Sequence, residues 1–247
     1  MKLFPSAQTG PAISKDACHW ARVRTPFVQA SFIMLLVAPV LPLNTISASA
    51  AEPATITYSQ DFPGSDPEHY SISVSADGHG TYESSRKISE DSDRPQTYQA
   101  EFSLSPRSRM RVFELAKEAK FFAGKIDSGN SKLAFTGSKT LSYRDGRANH
   151  TATYNYSHLP AAQQLTALFQ NLSATLEYGR RLTYYHQYQK LALDEELKRM
   201  EQQAKDGQLS EIDTVRPVLQ EIVADASVIN VVRARAQRIM ASDEAKK

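Results

Sequence analysis

The chain has 247 residues, 41% of them hydrophobic and 23% charged, which is enough apolar content for a packed core and argues against a disordered chain. Its 29 basic residues face 27 acidic ones, and the first fifty positions hold Lys2, Lys15, Arg22 and Arg24 against Asp16, so 25 basic and 26 acidic residues follow them. The body therefore lacks the basic surplus by which a nucleic-acid binder releases counterions, and the single cysteine, Cys18, excludes a disulfide framework.

Residues 1–50 read as an export signal. No charge occurs between Thr25 and Ala51, and the run PFVQASFIMLLVAPVLPL lies in that window, behind four basic residues and ahead of Ala48-Ser49-Ala50. A basic segment, an apolar run and small residues before a cut after Ala50 are the parts of a cleaved leader. A retained anchor is the competing reading, because about 20 apolar residues can span a bilayer; Pro39 and Pro42 would break such a helix. Val23 between Arg22 and Arg24 excludes a twin-arginine signal, and Cys18 precedes the apolar run where a lipoprotein cysteine would follow it. The expectation is a periplasmic or secreted protein cleaved near Ala50, touching the membrane only if the leader is kept.

In the body, residues 51–160 read as a sheet domain. Ala54–Gln60 is β-rich, and a loop with Pro63, Gly64 and Pro67 follows. Tyr70, Ile72, Val74 and Ala76 alternate with serines up to Asp77-Gly78, and His79–Glu83 returns, a pattern that predicts a type I′ hairpin. The acidic stretch with Glu90, Asp91 and Asp93 reads as an exposed connection. Tyr98, Ala100, Phe102 and Leu104 then alternate with polar residues as a further strand. Ser105-Pro106 opens a helix with Val112, Leu115, Ala116 and Ala119 on one face, and Gly124 is the expected stop. Leu141 and Tyr143 lead into Asp145-Gly146, and His150, Ala152 and Tyr154 lead out, a second type I′ hairpin by the same turn chemistry.

Ala161–Lys205 reads as one long helix, or two in line. Leu165, Leu168, Phe169, Leu172 and Leu176 form its packing stripe, and Gly179 marks the expected bend. Asp194–Lys198, Glu195–Arg199 and Glu201–Lys205 place an acid four residues ahead of a base, which suits a solvated surface. Residues 206–247 read as a helical pair, with Ser210 and Asp213 capping the first helix and Asp225 the second. The expected class is α+β: a small antiparallel sheet of two hairpins plus a central strand, packed by helices, then a long helix and the C-terminal pair.

The hairpin YSISVSADGHGTYE, the strand-to-helix step FSLSPRSRMRVFELAKEAKFF and the pair TLSYRDG and HTATYNY together resemble an uncharacterised family of bacterial extracytoplasmic α+β domains, over about Tyr70 to Leu172. The resemblance implies an exported setting and a small sheet with helices. It brings no activity and no site residues.

Chemical signatures are sparse. Ser84-Ser85-Arg86-Lys87 fits S-x-x-K but trails a strand and lacks the companion motifs of the serine enzymes that use it. His69, His79, His150, His158 and His186 lack zinc-ligand spacing, so no metal and no cofactor is expected. The stretch Tyr178 to Lys190 is distinctive: aromatic rings and cationic donors share one helix, as at binding interfaces. Tyr178, Arg181, Tyr184, Tyr185 and Tyr188 are the candidate binding residues, for a protein or glycan partner in the envelope or for self-association through the helix. The leading expectation is a non-enzymatic binding module. An envelope hydrolase using His150 and Asp145, and an oligomeric structural protein joined through the long helix, are the alternatives.

Overall fold

The structure, a computed structural model, describes residues 53–86 and 96–244, without the side chains of residues 86, 243 and 244. The proposed leader, with Cys18, and the acidic stretch Glu90, Asp91 and Asp93 lie outside them. Among the described residues no helix is long and apolar enough to cross a membrane.

Six strands form one antiparallel sheet: β1 (Thr55–Asp61), β2 (His69–Ser75), β3 (His79–Arg86), β4 (Gln96–Ser103), β5 (Ser138–Arg144) and β6 (Asn149–Tyr154), in the order β4-β3-β2-β1-β5-β6. β1 takes the central place between the two hairpins, and β4 is an edge. Alternation sorts the faces. Ile56, Tyr58, Ile72, Val74, Tyr82 and Leu141 point into the core, while the other face carries hydroxyls that pair across strands, Thr57 with Ser73 at 2.9 Å and Ser142 with Thr151 at 3.0 Å.

Both hairpins form, but neither has the expected turn. A type I′ turn needs positive φ at both central residues. In the first, the Gly78 amide bonds the Ser75 carbonyl at 2.9 Å and Gly78 has φ +94, while Asp77 is not left-handed. This is a tight turn followed by a left-handed glycine. In the second, Asp145 pairs with Ala148, so Gly146 and Arg147 are the central residues and only Gly146 has positive φ, the type II′ pattern. Asp145 instead accepts the Arg147 and Ala148 amides, at 2.9 and 2.7 Å.

Helix α1 (Pro106–Glu118) starts as its sequence dictates, with Ser105 Oγ accepting the Ser108 amide at 3.2 Å. It stops before Gly124, because Lys120, Phe121 and Phe122 take φ of +53, +51 and +63. Such geometry is costly for L-residues. Burial of Phe122 and the tilted packing of the Phe121 ring on Tyr143, 4.4 Å between ring centroids, hold it.

Helix α2 (Pro160–Tyr188) serves two cores. Ala162, Leu165, Phe169 and Leu172 pack on the sheet with α1; Tyr178 and Leu182 enter a helical core with α3 (Leu193–Lys205), α4 (Arg216–Ala224) and α5 (Asn230–Glu244). Gly179 is not a bend. A Cβ there would lie 2.6 Å from Val215 Cγ1, so the missing side chain lets the segment before α4 approach α2.

The expected rod from Ala161 to Lys205 is corrected. A short 3-10 turn at Lys190–Ala192 reverses the chain, and α3 runs antiparallel to α2, since Arg181 meets Glu196 and Asn171 meets Gly207. Leu193, Leu197, Met200 and Ala204 make a buried stripe that solvent could not stabilise. Asp194 and Glu201 are drawn to α5, where Asp194 binds Arg235 and Glu201 binds Arg238 at 3.0 Å; Glu195–Arg199 and Glu201–Lys205 do form along α3. Ser210 and Asp225 do not cap helices as expected. Thr175 holds the Ser210 carbonyl at 2.7 Å, and Glu211 reaches across to the start of α1, accepting the Ser105 amide at 2.7 Å and the Ser108 hydroxyl at 2.5 Å. That carboxylate ties the helical core to the sheet layer.

Candidate functional site

Where α2 passes from the sheet core to the helical core, a charged residue occupies the buried stripe. Glu177 is 3% exposed. An isolated carboxylate could not persist there, and three donors surround it: Tyr82 Oη at 2.9 Å, Ser84 Oγ at 2.7 Å and Arg180 Nε at 2.7 Å. Ser173 also shares a hydrogen bond with Tyr82, at 3.1 Å. Burial, reinforced by the Glu177 charge, raises the Tyr82 phenol far above its ordinary range. The phenol therefore stays a donor. At the next residue of α2 the device is repeated from another helix: Glu196 of α3, 2% exposed, accepts Arg181 Nε at 2.5 Å and has Arg199 at 3.5 Å.

Each of these guanidiniums also lies over an aromatic ring. Arg180 sits 6.0 Å from the centroid of Tyr98 and Arg181 sits 4.6 Å from that of Tyr178. Burial raises both phenols; the carboxylates Glu177 and Glu196 add to this for Tyr98 and Tyr178 respectively. A buried carboxylate behind and a ring beside fix each arginine before any ligand arrives, so little side-chain entropy is left to lose on binding.

Both arginines line a cleft of about 370 Å³ between edge strand β4 and α2. Gln96, Thr97 and Tyr98 form one wall, Arg180, Arg181, Tyr184 and Tyr185 the other, with Pro67 and Ser84 completing it. Among the described residues no carboxylate lines this cleft. A second cleft of about 360 Å³ shares Pro67 and Arg181 and is lined by amides, with Gln60, Gln170 and Gln203 beside Asp66 and Glu177. A third, of about 270 Å³, shares Tyr98 and continues along β4 between Ala100 and Gly179.

The structure brings Arg181, Tyr184 and Tyr185 together in the first cleft and places Tyr178 in the wall of the second. Tyr178 is 4% exposed and belongs to the helical core, with Tyr185 packed against that core. Tyr184 and Tyr188 are 50% and 65% exposed, and their rings lie 5.2 Å apart on the outer surface. Reading by sequence missed Tyr98, Glu177 and Glu196, and it placed Arg180 in the distinctive stretch without naming it a candidate. A charge at position 177, set among Phe169, Leu172, Ser173 and Leu176 on the packing stripe, was the one available signal.

Other polar residues serve local structure. Ser84 lies in a strand, not at a helix start, and donates to Glu177. Asp145 is held by its own turn and by Tyr143 Oη at 3.1 Å, while the buried Nδ1 of His150 has no hydrogen-bond partner among the described residues. The two are not joined by a hydrogen bond. His186 meets Asp225 at 3.0 Å, yet Lys190 Nζ sits on the same carboxylate oxygen at 2.6 Å, so the cation position there is taken. Among the described residues no group of three or more His, Cys, Asp or Glu could hold a metal ion.

The fold and site together define an α+β protein with a preformed aromatic and cationic cleft beside strand β4, which among the described residues pairs with β3 alone. No protein-family model matches the chain, and a search of curated proteins finds no match.

Proposed function

We propose that the chain is an exported, non-enzymatic binding module of the bacterial envelope, and that its partner docks on the first cleft and on the Tyr184–Tyr188 surface beside it. The observation that carries this reading is the pair Arg180 and Arg181, each fixed by a carboxylate that is at most 3% exposed and together lining a cleft that among the described residues holds no carboxylate. Fixed guanidiniums with adjacent tyrosines supply bidentate donors and ring faces at little entropic cost. Export rests on the leader-like N-terminus and on the resemblance to extracytoplasmic domains.

The test is affinity capture of the protein from its own envelope followed by mass spectrometry, with Tyr184→Ala and Tyr188→Ala in parallel. Both rings are at least half exposed, so the variants should fold as the parent does and capture less of the partner. Equal capture by parent and variants refutes this surface. The same preparation reports the first residue of the exported form, expected at Ala51.

A further inference from the structure

We propose that the groove along β4 takes an extended peptide as a seventh strand, with an acidic group of that peptide seated on Arg180 and Arg181. The inference rests on the binding-module reading and narrows its partner from protein or glycan to a peptide segment.

The backbone supplies the first argument. The Leu104 amide bonds the Gly78 carbonyl at 2.9 Å, and this pair continues the β3–β4 register. In an antiparallel ladder, hydrogen-bonded and non-bonded pairs alternate, so Phe102, Ala100 and Tyr98 turn their amides and carbonyls toward β3. Thr97, Gln99, Glu101 and Ser103 turn theirs outward. Among the described residues β4 pairs with β3 alone, and its sequence QTYQAEFS has neither the proline nor the lysine by which edges are commonly blunted.

Shape and charge supply the second. Beside those outward groups, the first and third clefts run on from one another through Tyr98, with α2 as the opposite wall. Near Ala100 the lining has the apolar Leu176, Val215 and Val218, with Gly179 adding no side chain, and it also carries Glu101 and Glu221, so this end does not suit an acidic group. Near Thr97 it is cationic, through Arg180 and Arg181. Strand addition supplies affinity through the main chain, and alternate side chains supply specificity. The peptide that fits has apolar residues at alternate positions and a carboxylate, from a side chain or a free C-terminus, at the end beside Thr97. A glycan would leave the row of outward amides unused.

The probe is a randomised seven-residue peptide library displayed on phage, selected against the purified protein. Enriched peptides should show apolar alternation with an acidic end. As synthetic peptides they should bind at least tenfold more tightly than versions with that carboxylate amidated, and Arg181→Gln should erase the difference. Gln99→Pro removes one outward amide and leaves the β3 ladder intact; binding should be lost while the thermal midpoint stays near that of the parent. If that variant fails to fold, N-methylation of alternate peptide amides makes the same test on the parent protein. Enrichment of basic or proline-rich sequences, no enrichment over Gln99→Pro, or binding indifferent to N-methylation overturns the proposal. A concentration-dependent dimer that Gln99→Pro dissolves would put a second copy on this edge and also overturn it. An envelope partner lost with Tyr184→Ala but retained with Gln99→Pro would defeat strand addition and leave the binding-module reading standing.

Discussion

A buried charge is stabilising only while every one of its partners is present, and Glu177 sits at the centre of such a set. Removing one member of a buried ion pair typically costs about 3–5 kcal/mol, because the other is left unpaired. Glu177→Ala strands Ser84 in the core, leaves Tyr82 with Ser173 alone and frees Arg180, so urea unfolding should show a loss in that range. Glu177→Gln, which keeps an acceptor, should lose less. Asp225 behaves differently, at the surface. The Lys190 ammonium, then the Ser227 hydroxyl and amide, hold its carboxyl far below the usual carboxylate range, with burial opposing and His186 adding to the effect. A carboxyl whose folded pKa is depressed contributes stability above its unfolded pKa of about 3.9 and loses it as pH falls through the folded value. The gap in urea midpoint between the parent and Asp225→Asn should therefore be full at pH 7 and close progressively below about pH 4. A gap that persists into strong acid would show that the carboxylate charge is not what Lys190 and His186 hold.

At the level of elements, Gly179 opposes helix propensity to packing. Alanine in a helix interior is favoured over glycine by about 1 kcal/mol, yet its Cβ would lie 2.6 Å from a methyl of Val215, itself 5% exposed. Overpacking a core costs roughly 1–3 kcal/mol, so Gly179→Ala should lower the thermal midpoint, and Gly179→Ala with Val215→Ala should recover part of the loss. A more stable single variant would mean that the helices can move apart freely. Alternation around Asp77-Gly78 and Asp145-Gly146 located both hairpins, because side-chain periodicity depends on local geometry. It could not choose the turn type, which register decides. The reversal at Lys190 was hidden because no glycine or proline marks it; the signal was Asp194-Glu195-Glu196, three acids suited to the first turn of a new helix. With Asp194 and Glu195 read as partners for bases further along the same helix, the helix start was concealed. In the cleft, the aromatic and cationic stretch of α2 was legible because its residues are neighbours. Glu196, the carboxylate that fixes Arg181, lies fifteen residues away and meets it only after that reversal.

On the scale of the whole molecule, α2 belongs to two cores, and bonds besides its own backbone join them. Tyr82 and Ser84 of the sheet hold Glu177 at the passage between the cores, and Glu211 of the helical layer holds the start of α1. A helix whose ends lie in separate cores transmits loss of either one, because its unpacked half would stand alone in water, and isolated helices of a few turns are marginal. The two cores should unfold as one cooperative unit. Leu219→Ala, at a fully buried position of the helical core, should cost about 2–5 kcal/mol. Amide exchange at Leu197 in that core and at Ile72 in the sheet should then accelerate by the same factor. If only Leu197 responds, the sheet with the front half of α2 folds as an independent unit. The helical layer would then be a separate body that shapes the cleft wall without stabilising the sheet.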